Sequence, residues 1–200
     1  RVETEIKLKL EDLSDVNKLK DYFGFPKYVE KQTNYYLDHK DEQFSKSKST
    51  FRIRLVNDIK AFVTFKGKIY SENGVFSSNE LEEELDFNLA IKSLDTCDFL
   101  DVYQNNSVFK TVLDTRNIDL RDIKILGSIV TTRYVYSWEN HLLDIDDTNY
   151  GFATNYEVEL ETLDPINTKQ KLITLLNSLS ISFEDSKANK FTNFLNKKIL

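Results

Sequence analysis

The chain has 200 residues, 40% hydrophobic, 30% charged and 12% aromatic, with only 5 glycines and 2 prolines. That composition fits one globular domain over 1–200 and excludes collagen-like and low-complexity linker chains. No apolar run reaches the roughly 18 residues of a membrane span, and no signal-peptide core opens the chain. The single Cys97 leaves no intramolecular disulfide and no cysteine zinc site, so a reducing, cytoplasmic setting is expected. Net charge is −6, from 33 acids and 27 bases, which argues against a non-specific nucleic-acid binder.

Taken in order, Val2–Leu10 alternates Val2, Ile6, Leu8 and Leu10 with Glu3, Glu5, Lys7 and Lys9, the period of a two-faced strand. A helix over 15–23 follows, capped by Ser14 and stopped by Gly24. Strands are predicted at 27–38, Thr50–Val56, 61–67 and 81–87, rich in β-branched and aromatic residues. Between them, 39–50 reads as a long mobile loop and 70–79 as a second loop turning at Asn73-Gly74. Asn88 caps a predicted helix over 89–103, and a shorter helix covers 108–114. Further strands follow at 125–138, 142–147 and 155–161; Asp164-Pro165 then opens a helix to about 178, and Asp185 or Ser186 starts a last one to 197. Eight strands joined mostly by hairpins and interrupted by helices imply an antiparallel sheet of α+β type.

The charges follow strand parity. Because i, i+2 and i+4 share a face, Arg52 and Arg54 oppose Phe51, Ile53 and Leu55, and Lys66 and Lys68 flank Gly67. Likewise Glu82 and Glu84 oppose Leu81 and Leu85, Asp144 and Asp146 oppose Leu143 and Ile145, and Glu157 and Glu159 oppose Val158 and Leu160. A sheet with one solvated side accounts for any one such strand. Six almost purely charged faces, divided into basic and acidic pairs, suggest instead that they converge in a barrel or groove whose apolar outside is covered by helices. An eight-stranded barrel has room for side chains and one small ligand. A polyphosphate uses both signs: Lys and Arg donate to phosphoryl oxygens, and clustered carboxylates hold a hard divalent cation that bridges to phosphate. Metal-assisted phosphoryl transfer to water is the chemistry this predicts.

Glu3-Thr4-Glu5-Ile6-Lys7 matches the Glu-x-Glu-x-Lys signature of the CYTH family, the triphosphate tunnel metalloenzymes. Gln32-Thr33-Asn34-Tyr35-Tyr36-Leu37-Asp38 resembles that family's next strand, with Leu37 departing at an aromatic position. The Arg52/Arg54, Lys66/Lys68 and Glu82/Glu84 strands, Arg133, Asp144/Asp146, Glu157/Glu159 and a late helical Lys190 follow in the family's order, so the resemblance covers essentially the whole chain. It is nearest to the compact plant-type inorganic triphosphatases.

The resemblance implies an eight-stranded antiparallel closed β-barrel with helices packed outside. It implies Mg²⁺ or Mn²⁺ held by Glu3, Glu5, Glu157 and Glu159, with Asp146 as a further ligand or water-orienting carboxylate. Lys7, Lys9, Arg52, Arg54, Lys66 and Arg133 would grip the triphosphate, and Glu82 and Glu84 would organise those bases. Lys190 would close one mouth and assist the leaving phosphate. Catalysis would therefore rest on Lys190, Glu159, Asp146 and Arg52.

Elsewhere, His39 reads as a solvated loop residue, His141 as a hairpin residue and Cys97 as a small core residue, and no glycine-rich phosphate loop exists. The expected activity is hydrolysis of a linear triphosphate, inorganic tripolyphosphate first, by a monomer acting on a small molecule. Thiamine triphosphatase, RNA 5′-triphosphatase and adenylate cyclase are the alternatives within the fold. RNA is a partner only through its 5′-triphosphate end. A non-catalytic polyphosphate-binding module is the alternative of a different class.

Overall fold

The computed structural model describes residues 1–200. Ten strands and seven α-helices follow in the order β1 (Val2–Leu10), α1 (Leu13–Phe23), β2 (Tyr28–His39), α2 (Gln43–Lys46), β3 (Thr50–Val56), β4 (Lys60–Lys66), β5 (Tyr70–Glu72), β6 (Val75–Leu85), α3 (Phe87–Thr96), α4 (Leu100–Asn105), α5 (Ser107–Thr115), β7 (Ile123–Trp138), β8 (His141–Asn149), β9 (Thr154–Glu161), α6 (Pro165–Ser178), β10 (Phe183–Asp185) and α7 (Lys190–Asn196). The sheet order is β10-β1-β9-β8-β7-β2-β3-β4-β6-β5, and β1 also pairs with β6. The fold is α+β, a closed eight-stranded antiparallel barrel with helices outside. No helix is long and apolar enough to cross a membrane.

The chain forms two compact units. The first comprises Arg1–Val2, Lys31–Ile69 and Ser78–Ile129. Its apolar strand face, with Phe51, Ile53, Val63, Phe65 and Leu85, packs under α3, α4 and α5 through Ala90, Phe99, Val102, Phe109 and Leu113. The fully buried Phe109 ring stands 5.1 Å from Phe51 and 5.6 Å from Phe99. The second unit comprises Glu3–Glu30, Tyr70–Ser77 and Val130–Leu200. There Ile6, Leu8, Leu143, Ile145, Val158 and Leu160 pack against Val16 and Leu19 of α1 and Leu172 and Leu176 of α6, with Tyr134, Tyr136 and Trp138 in the same cluster. In both units the strand period that buries the apolar residues turns the charged ones to the opposite face.

Local chemistry moved several predicted boundaries. Asp12, not Ser14, caps α1, accepting from the Ser14 and Asp15 amides. The predicted 89–103 helix is two helices: Asp86 caps α3, Cys97 turns left-handed at φ +55, and Asp98 takes the Leu100 amide to open α4, because a short carboxylate competes with the helix for backbone amides. That turn leaves Cys97 exposed rather than in the core. The last helix starts at Lys190 under an Asn189 cap, because 183–185 instead pairs with Leu8–Leu10 of β1.

The expected 39–50 loop is ordered by buried Asp38. Its carboxylate accepts from the His39 amide at 2.7 Å, the Phe44 amide at 2.9 Å, and the Ser45 amide and hydroxyl, anchoring α2. His39 is buried, not solvated, and its Nδ1 accepts from the Asp41 amide. The 70–79 segment is the β5–β6 hairpin, turning at Asn73-Gly74 as predicted. Gly74 sits at φ +73, and an added Cβ would stand 2.8 Å from Asp185 Oδ1. Its carbonyl accepts from the Lys7 amide at 2.8 Å. Lys169 of α6 bonds the Asn73 carbonyl and pairs with Asp185 at 2.7 Å.

Candidate functional site

Strand register assembles the charged face of the second unit. Lys7 of β1 lies opposite Glu159 of β9, which lies opposite Asp144 of β8; Lys9, Glu157, Asp146 and Arg133 form the adjacent row. Within these rows the side chains interlock. Lys7 Nζ is 2.8 Å from Glu5 Oε2 and 3.1 Å from Glu159 Oε1. Arg133 donates bidentately to both Asp146 oxygens at 2.7 Å, to Glu159 Oε2 at 2.8 Å, and pairs with Asp144 at 2.8 Å. Lys190, the first residue of α7, brings its ammonium to Asp146 Oδ2 at 2.8 Å, to Glu157 Oε1 at 3.3 Å and to Glu159 Oε1. Ser186 Oγ donates to Glu157 Oε2 at 2.8 Å. Glu3 is buried further along β1, and Lys9 pairs with Glu184 at 2.6 Å.

Electrostatics follow from this crowding. Burial opposes the charged forms of Lys7, Arg133 and Lys190, but the surrounding carboxylates hold all three above their ordinary values. Burial likewise works against ionised Asp146 and Glu159; Arg133 and Lys190 outweigh it at Asp146, and Lys190, Lys7 and Arg133 do so at Glu159, so both carboxyls are lowered. Asp144 goes the other way. Burial, together with the charges of Asp146, Glu159 and Glu5, overcomes Arg133 and pushes it up to about 7. Three cations, Lys7, Arg133 and Lys190, face the carboxylates Glu5, Asp144, Asp146, Glu157 and Glu159.

That donor set fits a hard divalent cation: its oxygens are all carboxylate, and buried Glu157 Oε1 accepts no hydrogen bond, its contact with Lys190 being ionic alone. As arranged, the carboxylates are turned to ammonium and guanidinium groups, and no three acidic side chains form a ready ligand group.

In the first unit, register aligns Tyr36, Arg52, Thr64 and Glu82 in one row, Asn34, Arg54, Phe62 and Glu84 in the next, and Thr50, Lys66 and Glu80 in a third. Arg54 Nε donates to Asn34 Oδ1 at 2.8 Å, and Thr64 Oγ1 donates to Glu82 Oε2 at 2.8 Å. Arg52 Nε is buried and finds no acceptor. Lys66 pairs at 3.5 Å with Glu80, which is buried, whereas Glu82 and Glu84 are exposed. The carboxylate set against the bases is therefore Glu80, one step back in the Glu82/Glu84 series. The predicted 81–87 strand begins one residue after Glu80, although the parity of Glu80 with Glu82 is legible in the sequence. Ser186, the other residue missed, carries no pattern that singles it out in the sequence.

No curated protein matches the sequence at a significant level. Solved structures do match. HpAC1 from Hippeastrum, described as an adenylyl cyclase candidate with a dominant triphosphatase activity, is 29% identical at a TM-score of 0.94, covering 99% of this chain and 97% of its own. A Bacillus halodurans adenylate cyclase candidate is 23% identical at a TM-score of 0.74, covering 96% and 98%. PH1819 from Pyrococcus horikoshii is 24% identical at 0.63, covering 97% and 99%. The last two likenesses are of fold alone. The family model of the CYTH domain matches residues 1–192, and the chain belongs to the CYTH domain family.

Proposed function

We propose that residues 1–200 form one metal-dependent triphosphatase domain that hydrolyses a linear triphosphate, inorganic tripolyphosphate first, as a monomer. The observation that carries this is the interlocked cluster of Lys7, Arg133 and Lys190 with five carboxylates, in which the buried Glu157 Oε1, accepting no hydrogen bond, suits a divalent cation. The triphosphatase activity of the Hippeastrum relative, 29% identical over 99% of this chain, supports the same reading.

In it, Glu3, Glu5, Asp146, Glu157 and Glu159 hold Mg²⁺ or Mn²⁺. Bound there, the cation supplies charge neutralisation at the phosphoryl oxygens and a more acidic water. Lys7, Lys9, Arg133 and Lys190 take phosphoryl oxygens as charge-assisted donors, with Arg133 suited to bidentate contact. Arg52, Arg54 and Lys66 do the same, and the buried Arg52 Nε has a donor free for an anionic oxygen. Glu80, rather than the exposed Glu82 and Glu84, orients those bases. Water attacks the terminal phosphorus, the bond to the bridging oxygen breaks, and orthophosphate and pyrophosphate leave.

Phosphate release from tripolyphosphate, ATP, thiamine triphosphate and an RNA 5′-triphosphate, each with Mg²⁺, Mn²⁺ or EDTA, tests the reading. Tripolyphosphate with metal is expected to be the best substrate. Glu159→Gln and Arg52→Ala should each lower kcat about 100-fold, and Cys97→Ser should leave it unchanged. Metal-independent release, or polyphosphate binding without hydrolysis of any substrate, overturns it.

A further inference from the structure

Asp146, Glu157 and Glu159 converge on one positive charge that is already part of the chain. Each also has an anchor other than Lys190. Arg133 grips both oxygens of Asp146 and Oε2 of Glu159, and Ser186 holds Oε2 of Glu157. The oxygens facing Lys190 Nζ are Asp146 Oδ2, Glu157 Oε1 and Glu159 Oε1, so three separate carboxylates, on two neighbouring strands, point at a single ammonium. Withdrawing Lys190 would leave these oxygens oriented by their other partners. The ammonium is the movable member: it sits at the end of a four-carbon side chain on the first residue of a seven-residue helix.

We propose that the Lys190 ammonium is the resident cation of this carboxylate group, and that a divalent cation binds there by displacing it. The proposal rests on the metal-dependent reading above and adds an exchange to it. Two observations point to a cation at this position rather than to a static ion pair. Glu157 Oε1 is buried yet makes no hydrogen bond, since the 3.3 Å approach of Lys190 is ionic only. Three carboxylates also converge on that one ammonium, an all-oxygen donor set that suits a doubly charged cation better than a singly charged one. Cation loading thus frees the Lys190 ammonium to meet an anionic ligand, and α7 becomes coupled to the cation. Because coupling is reciprocal, whatever holds Lys190 on the carboxylates weakens cation binding by the same factor.

The test is a Mn²⁺ titration without substrate, read by electron paramagnetic resonance of free Mn²⁺, on the wild-type chain, Lys190→Gln and Lys190→Arg. Lys190→Gln removes the competitor and should bind Mn²⁺ about tenfold more tightly, whereas Lys190→Arg, which keeps the charge, should not. On the wild-type chain, amine acetylation mapped by mass spectrometry gives a second readout that requires no variant to fold. Lys190 should be protected in EDTA and modified about tenfold faster in saturating Mn²⁺. Equal or weaker Mn²⁺ binding by Lys190→Gln, or acetylation of Lys190 indifferent to Mn²⁺, overturns the exchange. If metal-dependent phosphate release is observed alongside either result, only the exchange falls. Absence of Mn²⁺ binding in every variant overturns the metal-dependent reading with it.

Discussion

Single hydrogen bonds decide which atoms of the cluster are available. Ser186 donates to Glu157 Oε2 at 2.8 Å, and its amide donates to the Lys7 carbonyl at 3.0 Å, so one residue ties Glu157 to the strand that carries Lys7. Its hydroxyl is therefore expected to position Glu157 for a cation. Ser186→Ala should weaken Mn²⁺ binding about tenfold in a direct titration, and Ser186→Thr should restore it; unchanged binding in the alanine variant would remove that role. Arg133 has a larger structural share. Its removal strips the only bidentate partner from fully buried Asp146, and breaking a buried pair from one side costs about 3–5 kcal/mol. At this scale the sequence was legible where parity spoke, as for Lys7, Arg133, Asp146 and Glu159, and silent where a hydroxyl reaches across from a connection, as at Ser186.

Helices and strands show what keeps such a charged face in place. In the first unit, α3, α4 and α5 bury one face of β3, β4 and β6 through an aromatic cluster centred on Phe51, Phe99 and Phe109. Phe109→Ala should cost about 3–5 kcal/mol, read as a lower midpoint in urea unfolding with little change in m-value. A change below about 1 kcal/mol would mean that the cluster closes over the gap. Eight of the ten strands were readable from the sequence, because one face of each meets an apolar core and the other carries polar and charged groups. The two short strands β5 and β10 were not, since three residues establish no period and their pairing is set by β6 and β1. The split of the predicted 89–103 helix at Cys97 was equally hidden: the apolar spacing runs through it, and Asp98 breaks the backbone ladder without breaking the pattern.

Across the whole molecule, a net charge of −6 conceals how the charges are distributed, because strand parity concentrates bases and acids on one face of each strand. Folding free energy is linked to pH through the same groups. Burial would raise the Glu80 carboxyl, but Lys66, Arg52 and Arg1 hold it below its ordinary 4.5. An acid lowered in the folded state contributes stability that is complete above its unfolded value and disappears as pH falls through the lowered one. Glu80→Gln should therefore lower Tm at about pH 6 and converge on the wild-type Tm as pH falls below the ordinary carboxylate range, in thermal melts by circular dichroism. Parallel curves over that range would mean that Glu80 adds no pH-dependent stability.

Hairpin tips are the usual places to insert a label or an affinity tag, since little depends on their length. The tip at Asn73-Gly74 is an exception. The Lys7 amide and the Asp185 carboxylate meet its glycine and the Lys169 ammonium its asparagine, so β1, the strand before α7, and α6 are referenced to one two-residue turn. An insertion there would shift the strand carrying Glu5 and Lys7 and the segment leading to Lys190 together. The Glu139-Asn140 tip between β7 and β8, exposed and tied only to Lys171, is the better position for a reporter meant to leave the charged face undisturbed.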